Sequence, residues 1–255
     1  MKLFHREIKG PGEPLVILHG LFGMSDNWQS FARSAAASRH IVLVDQRNHG
    51  RSPHSQEFSY PAMAQDLLEL MDDLHLKHAD LLGHSMGGKT VMELATLHPD
   101  RVDHLVVADI GPKAYPLHHE YLIEAMESLP LSQLKSRQEA EKLLEEKIVD
   151  AGVRQFLLKN LYWEEDSTLA WRFNLKVIKA RLEEVGKPLP ANRVFEGPTL
   201  FLRGGKSHYI LDEDLLGLRD HFPRAVVQTI PNAGHWLHAE QPEAFYRAVV
   251  EFLDV

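Results

Sequence analysis

Two rhythms of apolar and polar residues alternate along the chain. Short apolar runs (Leu15-Val16-Ile17-Leu18, Ile41-Val42-Leu43-Val44, Leu81-Leu82, Leu105-Val106-Val107-Ala108, Thr199-Leu200-Phe201-Leu202) have the length of strands buried on both faces. Helical spacing fills the intervals at residues 28–37, 61–74, 89–95, 212–221 and 242–253, with Pro61 and Pro242 suited to a first helical turn. A further strand is predicted over 225–230. Strand and helix in strict alternation predict an α/β fold with a mostly parallel sheet flanked by helices.

After Pro112 the strand rhythm stops and does not resume until Thr199. Helical patterns dominate between: Ser136-Arg137-Gln138-Glu139 reads as a capping box opening a charged amphipathic helix over 140–149. Residues 155–161 and 169–182 also read as helical, and Pro188-Leu189-Pro190 marks the way out. The expected organisation is one core domain, residues 1–111 and 197–255, interrupted by a helical insertion over 112–196.

Composition narrows the function classes. A chain of 255 residues with 44% apolar and 25% charged residues is long enough for one large globular domain with an insertion. Its net charge of −8 argues against a general nucleic-acid partner. The chain has no cysteine, which excludes disulfides, thiolate metal sites and cysteine nucleophiles. The first residues lack the apolar centre of a signal peptide and no run suffices for a membrane span, so the expectation is a cytoplasmic enzyme without membrane insertion. No pattern specifies an oligomeric state.

The chemistry centres on Gly83-His84-Ser85-Met86-Gly87, set between an apolar strand and a helical pattern. G-x-S-x-G in that context reads as a nucleophilic serine on a sharp strand-to-helix turn, where flanking side chains would collide and glycines remove the collision. A rival reading occupies the same residues. Gly83 to Thr90 also fits the phosphate-loop pattern G-x-x-x-x-G-K-[ST], with Leu105 to Asp109 imitating the strand and Asp that would hold magnesium. The remaining motifs choose between them. His19-Gly20-Leu21-Phe22-Gly23 follows the first apolar run, where the Leu21 N–H would pair with the Met86 N–H as an oxyanion hole, Phe22 being the alternative donor. Asn232-Ala233-Gly234-His235-Trp236 lies between a strand and a helix, and His235 completes the chain order Ser, Asp, His. A phosphate loop explains Lys89, Thr90 and Asp109 but gives no role to these two loops. His238 and Glu240 near His235 invite a metal reading, which lacks a further ligand.

Together with Asp45-Gln46-Arg47-Asn48-His49-Gly50-Arg51-Ser52 and Trp171-Arg172-Phe173-Asn174, these motifs resemble the α/β-hydrolase superfamily over almost the whole chain, and within it the small bacterial YbfF-type esterases. The resemblance implies a serine esterase acting on carboxylic esters of short-to-medium acyl chains, with no cofactor or metal and with a helical cap inserted after the sixth strand. Arg47 and His49 are expected to fix their loop. The pattern departs at the acid: many relatives carry it at the position of Ser207, and a serine cannot stabilise an imidazolium by charge. Asp109 is the preferred acid, because a carboxylate ending a buried strand needs a partner and some relatives take the acid from this strand; Ser207 then becomes a fourth member. Asp212 and Asp214 are the alternatives, with N-capping as their plain explanation. Tyr115, Phe156, Trp163, Trp171 and Phe173, with Phe22, are candidates for an acyl pocket under the cap, or else for the cap's own core. Thioester, lactone, carbon–carbon and perhydrolysis chemistry would use the same triad.

Overall fold

The computed structural model describes residues 1–117 and 119–254. Its strands are β1 (His5–Ile8), β2 (Pro14–Leu18), β3 (His40–Val44), β4 (Ala79–His84), β5 (Val102–Ala108), β6 (Leu161–Trp163), β7 (Leu169–Trp171), β8 (Thr199–Gly204) and β9 (Ala225–Ile230). Seven form one sheet in the order β1-β3-β2-β4-β5-β8-β9, parallel except for β1, which runs antiparallel to β3 at the edge. Helices α1 (Gln29–Ala35), α2 (Tyr60–Asp73) and α3 (Met86–Leu97) follow β2, β3 and β4. Between β5 and β8 lie α4 (Glu120–Glu127), α5 (Arg137–Glu145), α6 (Ala151–Leu158), the β6–β7 hairpin, α7 (Leu175–Ala180) and α8 (Leu182–Val185). The chain closes with α9 (Leu215–His221), α10 (Leu237–Glu240) and α11 (Pro242–Leu253).

The continuous apolar runs have a direct cause: both faces of the sheet are covered. Leu15, Ile17, Ile41, Leu43, Leu82 and Val106 face α1 and α11 through Phe31, Phe245 and Val249. Their neighbours Val16, Leu18, Val42, Val44, Leu81 and Val107 face α2, α3 and α9 through Leu67, Met71, Val91 and Leu218. Each strand side chain so removed from water contributes about 1.5–3 kcal/mol. Strand β1 is partly exposed along its length and carries Arg6 and Glu7, so it offers no apolar run in the sequence.

Three expectations change. Five strands, not six, precede the insertion, because the residues ahead of β2 supply a single edge strand. The insertion is not wholly helical: Leu169–Trp171 pairs antiparallel with Leu161–Trp163. Leu169, Trp171 and Phe173 repeat at period two, a strand signal hidden inside a longer helical window. Helix resumes at Leu175, where the Asn174 side chain caps Val177 N–H. At α5, Ser136 Oγ accepts from Glu139 N–H, but the Glu139 carboxylate takes the Lys135 N–H instead of closing the box on Ser136.

The insertion has its own apolar cluster, which also recruits Leu21, Phe22, Phe58, Tyr60, Met63 and Met86 from the core loops. Polar contacts fix its seat: Asn160 Nδ2 donates to Phe22 O at 2.8 Å, Asn174 N to Asn48 O at 2.8 Å, and Tyr60 Oη to Val185 O at 2.7 Å. It thus sits over the carboxyl ends of the parallel strands, where open α/β sheets place their sites.

Packing at the β4–α3 turn leaves no room for a side chain on Gly87. A Cβ on Gly87 would lie 2.6 Å from both His19 O and Leu18 O, which are backbone atoms with little freedom to retreat. Gly87→Ala is therefore expected to cost about 1–3 kcal/mol and, at about 2–4 °C per kcal/mol for a domain of this size, to lower Tm measurably in a thermal melt. An unchanged melting point would contradict this packing.

Candidate active site

Strand β4 delivers the chain into a backbone conformation that few side-chain-bearing residues adopt. Ser85 has φ 51° and ψ −118°, a strained geometry costing on the order of 1–3 kcal/mol. Its N–H donates to Ala108 O at 3.0 Å, and its carbonyl accepts from Lys89 N at 3.1 Å as α3 begins. The glycines permit this: a Cβ on Gly83 would stand 2.3 Å from Gly87 O. Ser85 Oγ forms no hydrogen bond among the described residues and opens into a cavity of about 50 Å³ that His235 also lines.

Asp109, at the end of β5, is completely buried and also has positive φ, 52°. Its Oδ2 accepts from His235 Nδ1 at 2.7 Å and from Ser207 Oγ at 2.5 Å, while Oδ1 accepts from Gly204 N–H at 2.9 Å. Ser207 Oγ in turn accepts from Tyr209 N–H. The Tyr209 ring stacks on His235 with centroids 4.0 Å apart and planes 16° from parallel. The other candidate acids are elsewhere: Asp212 pairs with Arg203, and Asp214 accepts from Leu211 N–H and Lys113 Nζ. A carboxylate on Nδ1 selects the tautomer whose Nε2 is free to accept a proton.

At the β2 end, Phe22 N–H donates to His49 Nε2 at 3.1 Å, which removes Phe22 as an oxyanion donor. The N–H groups of Leu21 and Met86 donate to no other group among the described residues. Met86 N–H is at the first turn of α3, on the positive end of the helix dipole. His49 Nδ1 donates to Arg47 O, and Arg47 binds Asp66, Glu57 O and Ala62 O, so both residues hold the loop rather than line the cavity. His19 Nδ1 donates to Gly20 O and its Nε2 accepts from Gln46 N–H.

A second, smaller chamber of about 20 Å³ meets Ser85 from the other side and is lined by Tyr60, Met86, Ile110, Tyr115 and Tyr209. Of the aromatic candidates, Phe22 and Phe156 line the first cavity and Tyr115 the second. Trp163 is 46% exposed and lines neither. Trp171 and Phe173 stack on each other, with Phe173 against Phe22, inside the insertion's core. Those three line neither cavity beside Ser85, and their hydrophobicity serves packing or surface instead. The sequence did not single out Trp236, Leu122 and Val153 as lining of the first cavity. Trp236 adjoins His235, which was the one available clue.

The phosphate-loop reading does not survive the geometry. Lys89 Nζ spends its donors on carbonyls, and Thr90 Oγ1 donates to Gln46 Oε1. Near His235, Glu240 accepts from Gly234 and Trp236 N–H, which occupies the oxygens a metal reading required.

A serine at a strained strand-to-helix turn, a carboxylate-bound histidine in the same cavity and two open amides define a serine hydrolase arrangement. Residues 13–138 match the α/β hydrolase fold family. The chain is 43% identical to the mouse protein named sn-1-specific diacylglycerol lipase ABHD11, over 94% of this chain and 80% of that one. It is 39% identical to Esterase YbfF of Escherichia coli K12, over 94% of this chain and 93% of the relative. A solved structure titled marine microorganism esterase superposes with a TM-score of 0.96 at 41% identity, covering 98% of this chain and 99% of that one. The chain belongs to the α/β-hydrolase fold family. Among the described residues, no helix is long and apolar enough to cross a membrane.

Asp109→Asn is expected to lower turnover by about three to four orders of magnitude, since an amide favours the wrong histidine tautomer. Asp212→Asn should leave turnover within twofold; the reverse pattern would move the acid. A second expectation concerns pH. Burial lowers His19 to about 4 and His49 and His238 to about 3, and holds His84 well below its ordinary value. The unfolded chain therefore binds more protons than the folded one below about pH 6.5. Stability is intact above that pH and falls progressively as pH drops toward the folded values. Acid unfolding followed by circular dichroism should have its midpoint above pH 4; a fold still intact at pH 3.5 would refute neutral burial of these rings.

Proposed function

We propose that this protein is a serine esterase that hydrolyses carboxylic esters of short acyl chains through an acyl-enzyme, with Ser85 as nucleophile, His235 as general base and acid, and Asp109 as the orienting carboxylate. The observation that carries the reading is the 2.7 Å bond from His235 Nδ1 to the buried Asp109, with His235 and Ser85 facing one cavity. In this proposal residues 1–111 and 197–255 form the catalytic core, and 112–196 form a cap over it. The relatives named as an esterase and a lipase support an ester substrate.

His235 Nε2 removes the Ser85 Oγ proton as Oγ attacks the ester carbonyl carbon. The carbonyl oxygen becomes an oxyanion facing the amides of Leu21 and Met86, preorganised dipoles that need not reorient as charge develops. Asp109 stabilises the imidazolium and keeps its proton on Nδ1; Ser207 and Gly204 N–H share the carboxylate's remaining capacity. His235 then gives its proton to the departing alkoxide, the C–O bond breaks, and the acyl group remains on Ser85. Water deprotonated by His235 attacks the acyl carbon and restores Ser85, releasing the acid. In the free enzyme the serine–histidine contact is open, a looseness common before substrate tightens it.

Leaving-group protonation assigns the two chambers. The alcohol must depart within reach of His235, which lines the larger cavity and not the smaller one. The acyl chain then enters the chamber of about 20 Å³, little more than the roughly 10–15 Å³ that admits one water. Short acyl groups fit, and longer ones require the cap to move.

Purified protein should hydrolyse p-nitrophenyl acetate faster than butyrate and butyrate faster than octanoate. Each step that overfills the chamber should lower kcat/KM by about tenfold or more. Ser85→Ala should abolish turnover, with no accompanying ATP hydrolysis. Octanoate as the preferred substrate would sink the chamber assignment, and persistent turnover in Ser85→Ala would sink the nucleophile.

A further inference from the structure

Lys89 is the lysine of the phosphate-loop-like motif, and the hydrolytic mechanism gives it no role. It lies one turn into α3, four residues beyond Ser85, and is only 2% exposed. Among the described residues no carboxylate binds it. Its ammonium instead donates to Lys113 O at 2.5 Å, Lys187 O at 2.9 Å and Pro112 O at 3.3 Å. Those carbonyls belong to the two crossings between core and insertion: Pro112 and Lys113 lead in, Lys187 leads out. The three N–H donors of an ammonium are thus matched to three backbone acceptors. The crossings are also tied to each other, by Tyr115 N to Gly186 O at 2.9 Å and Leu189 N to Pro112 O at 2.8 Å.

The same crossings wall the acyl chamber. Tyr115 and Gly186 line it together with Ser85. The Tyr115 ring lies under Lys89 Nζ at 5.2 Å and under Lys113 Nζ at 5.3 Å, and Lys113 is in turn paired with Asp214. Tyr115 Oη accepts from Gly111 N–H and donates to Tyr209 O, and Tyr209 stacks on His235. A cation at the hinge is therefore connected, through one tyrosine, to the chamber wall and to the ring that covers the base.

We propose that Lys89 is a positioning residue that sets the acyl chamber's width by clasping both crossings of the cap to the nucleophile helix. It touches neither substrate nor reacting atoms. Burial, with a smaller push from Lys113, lowers its pKa to about 7, and the three carbonyls offset part of that cost by accepting the ammonium's hydrogen bonds. A lysine seated at that cost in a position where methionine would pack needs a reason, and the geometry supplies one. The inference deepens the esterase reading and rests on it for its substrate half.

The test compares wild type with Lys89→Met, which keeps the length of the side chain and removes every donor. The readouts are the kcat/KM ratio of p-nitrophenyl acetate to butyrate and backbone hydrogen exchange across the intact chain. The expected result is a fall of tenfold or more in the acetate preference, with faster exchange confined to residues 111–116 and 184–189. A merely structural lysine would lower both esters in proportion and raise exchange throughout the sheet, and that outcome overturns the proposal, as does an unchanged ratio. Tyr115→Phe keeps the ring and deletes the hydroxyl bridge from Gly111 to Tyr209. It should shift the ratio the same way with Lys89 in place. If Lys89→Met does not fold, Lys89→Arg decides the matter, because a planar guanidinium cannot reproduce the three-carbonyl seat. That variant should lower the acetate preference with the same local rise in exchange, whereas an unchanged ratio and exchange overturn the clasp. If wild type hydrolyses no ester, the esterase reading fails; hinge exchange that stays unchanged in the variant fails the clasp separately.

Discussion

Ser85 must leave β4 and enter α3 through a single residue at φ 51° and ψ −118°, and that requirement organises what surrounds it. The turn lifts Oγ clear of the backbone only if Gly83 and Gly87 let the strand, the helix and the β2 end approach one another more closely than any Cβ allows. At the helix start the Met86 N–H has no acceptor among the described residues. The strain is held by backbone bonds on both sides, to Ala108 O and from Lys89 N, within a sheet buried on both faces. A rigid and heavily packed scaffold is what lets a strained residue persist.

Around that turn the buried imidazoles fall into two kinds. Buried imidazoles at positions 19, 49, 84 and 238 are kept neutral by desolvation, each with a ring nitrogen serving a backbone group or lying in an aromatic stack. His235 differs in having a carboxylate on Nδ1. Asp109 is buried completely, and it is held by His235, by Ser207 and by the Gly204 amide. Burial of Asp109 in a region of low dielectric strengthens its interaction with His235.

The insertion contributes in two ways that its composition alone does not separate. Most of its apolar residues form a small core of their own, with Trp171 and Phe173 stacked inside it. A few, Leu122, Val153 and Phe156, reach the larger cavity. Its crossings supply the wall of the smaller chamber through Tyr115 and Gly186. The walls beside Ser85 therefore owe less to the insertion's aromatic content than to where its two ends run.

What the sequence determined by itself is the content that lives in local pattern. Apolar runs at strand length located the parallel core strands to within three residues, because burial on both faces leaves few polar positions to blur them. Glycines at fixed offsets identified the Ser85 turn, and Gly-His-Trp identified His235, because those geometries need those residues close together in the chain. Tertiary structure decided everything that depends on distant residues meeting. Asp109 was separable from Asp212 and Asp214 only once β5 and β8 lay side by side and brought His235, Ser207 and Asp109 to one point. The polar edge strand β1 exists through pairing that its own short pattern does not record, and at β7 a brief period-two signal is outweighed by the helical window around it until pairing with β6 decides. Whether an aromatic residue of the insertion lines a cavity, fills a core or meets solvent is likewise set by the direction in which its backbone presents it, and that direction is fixed only when the insertion docks.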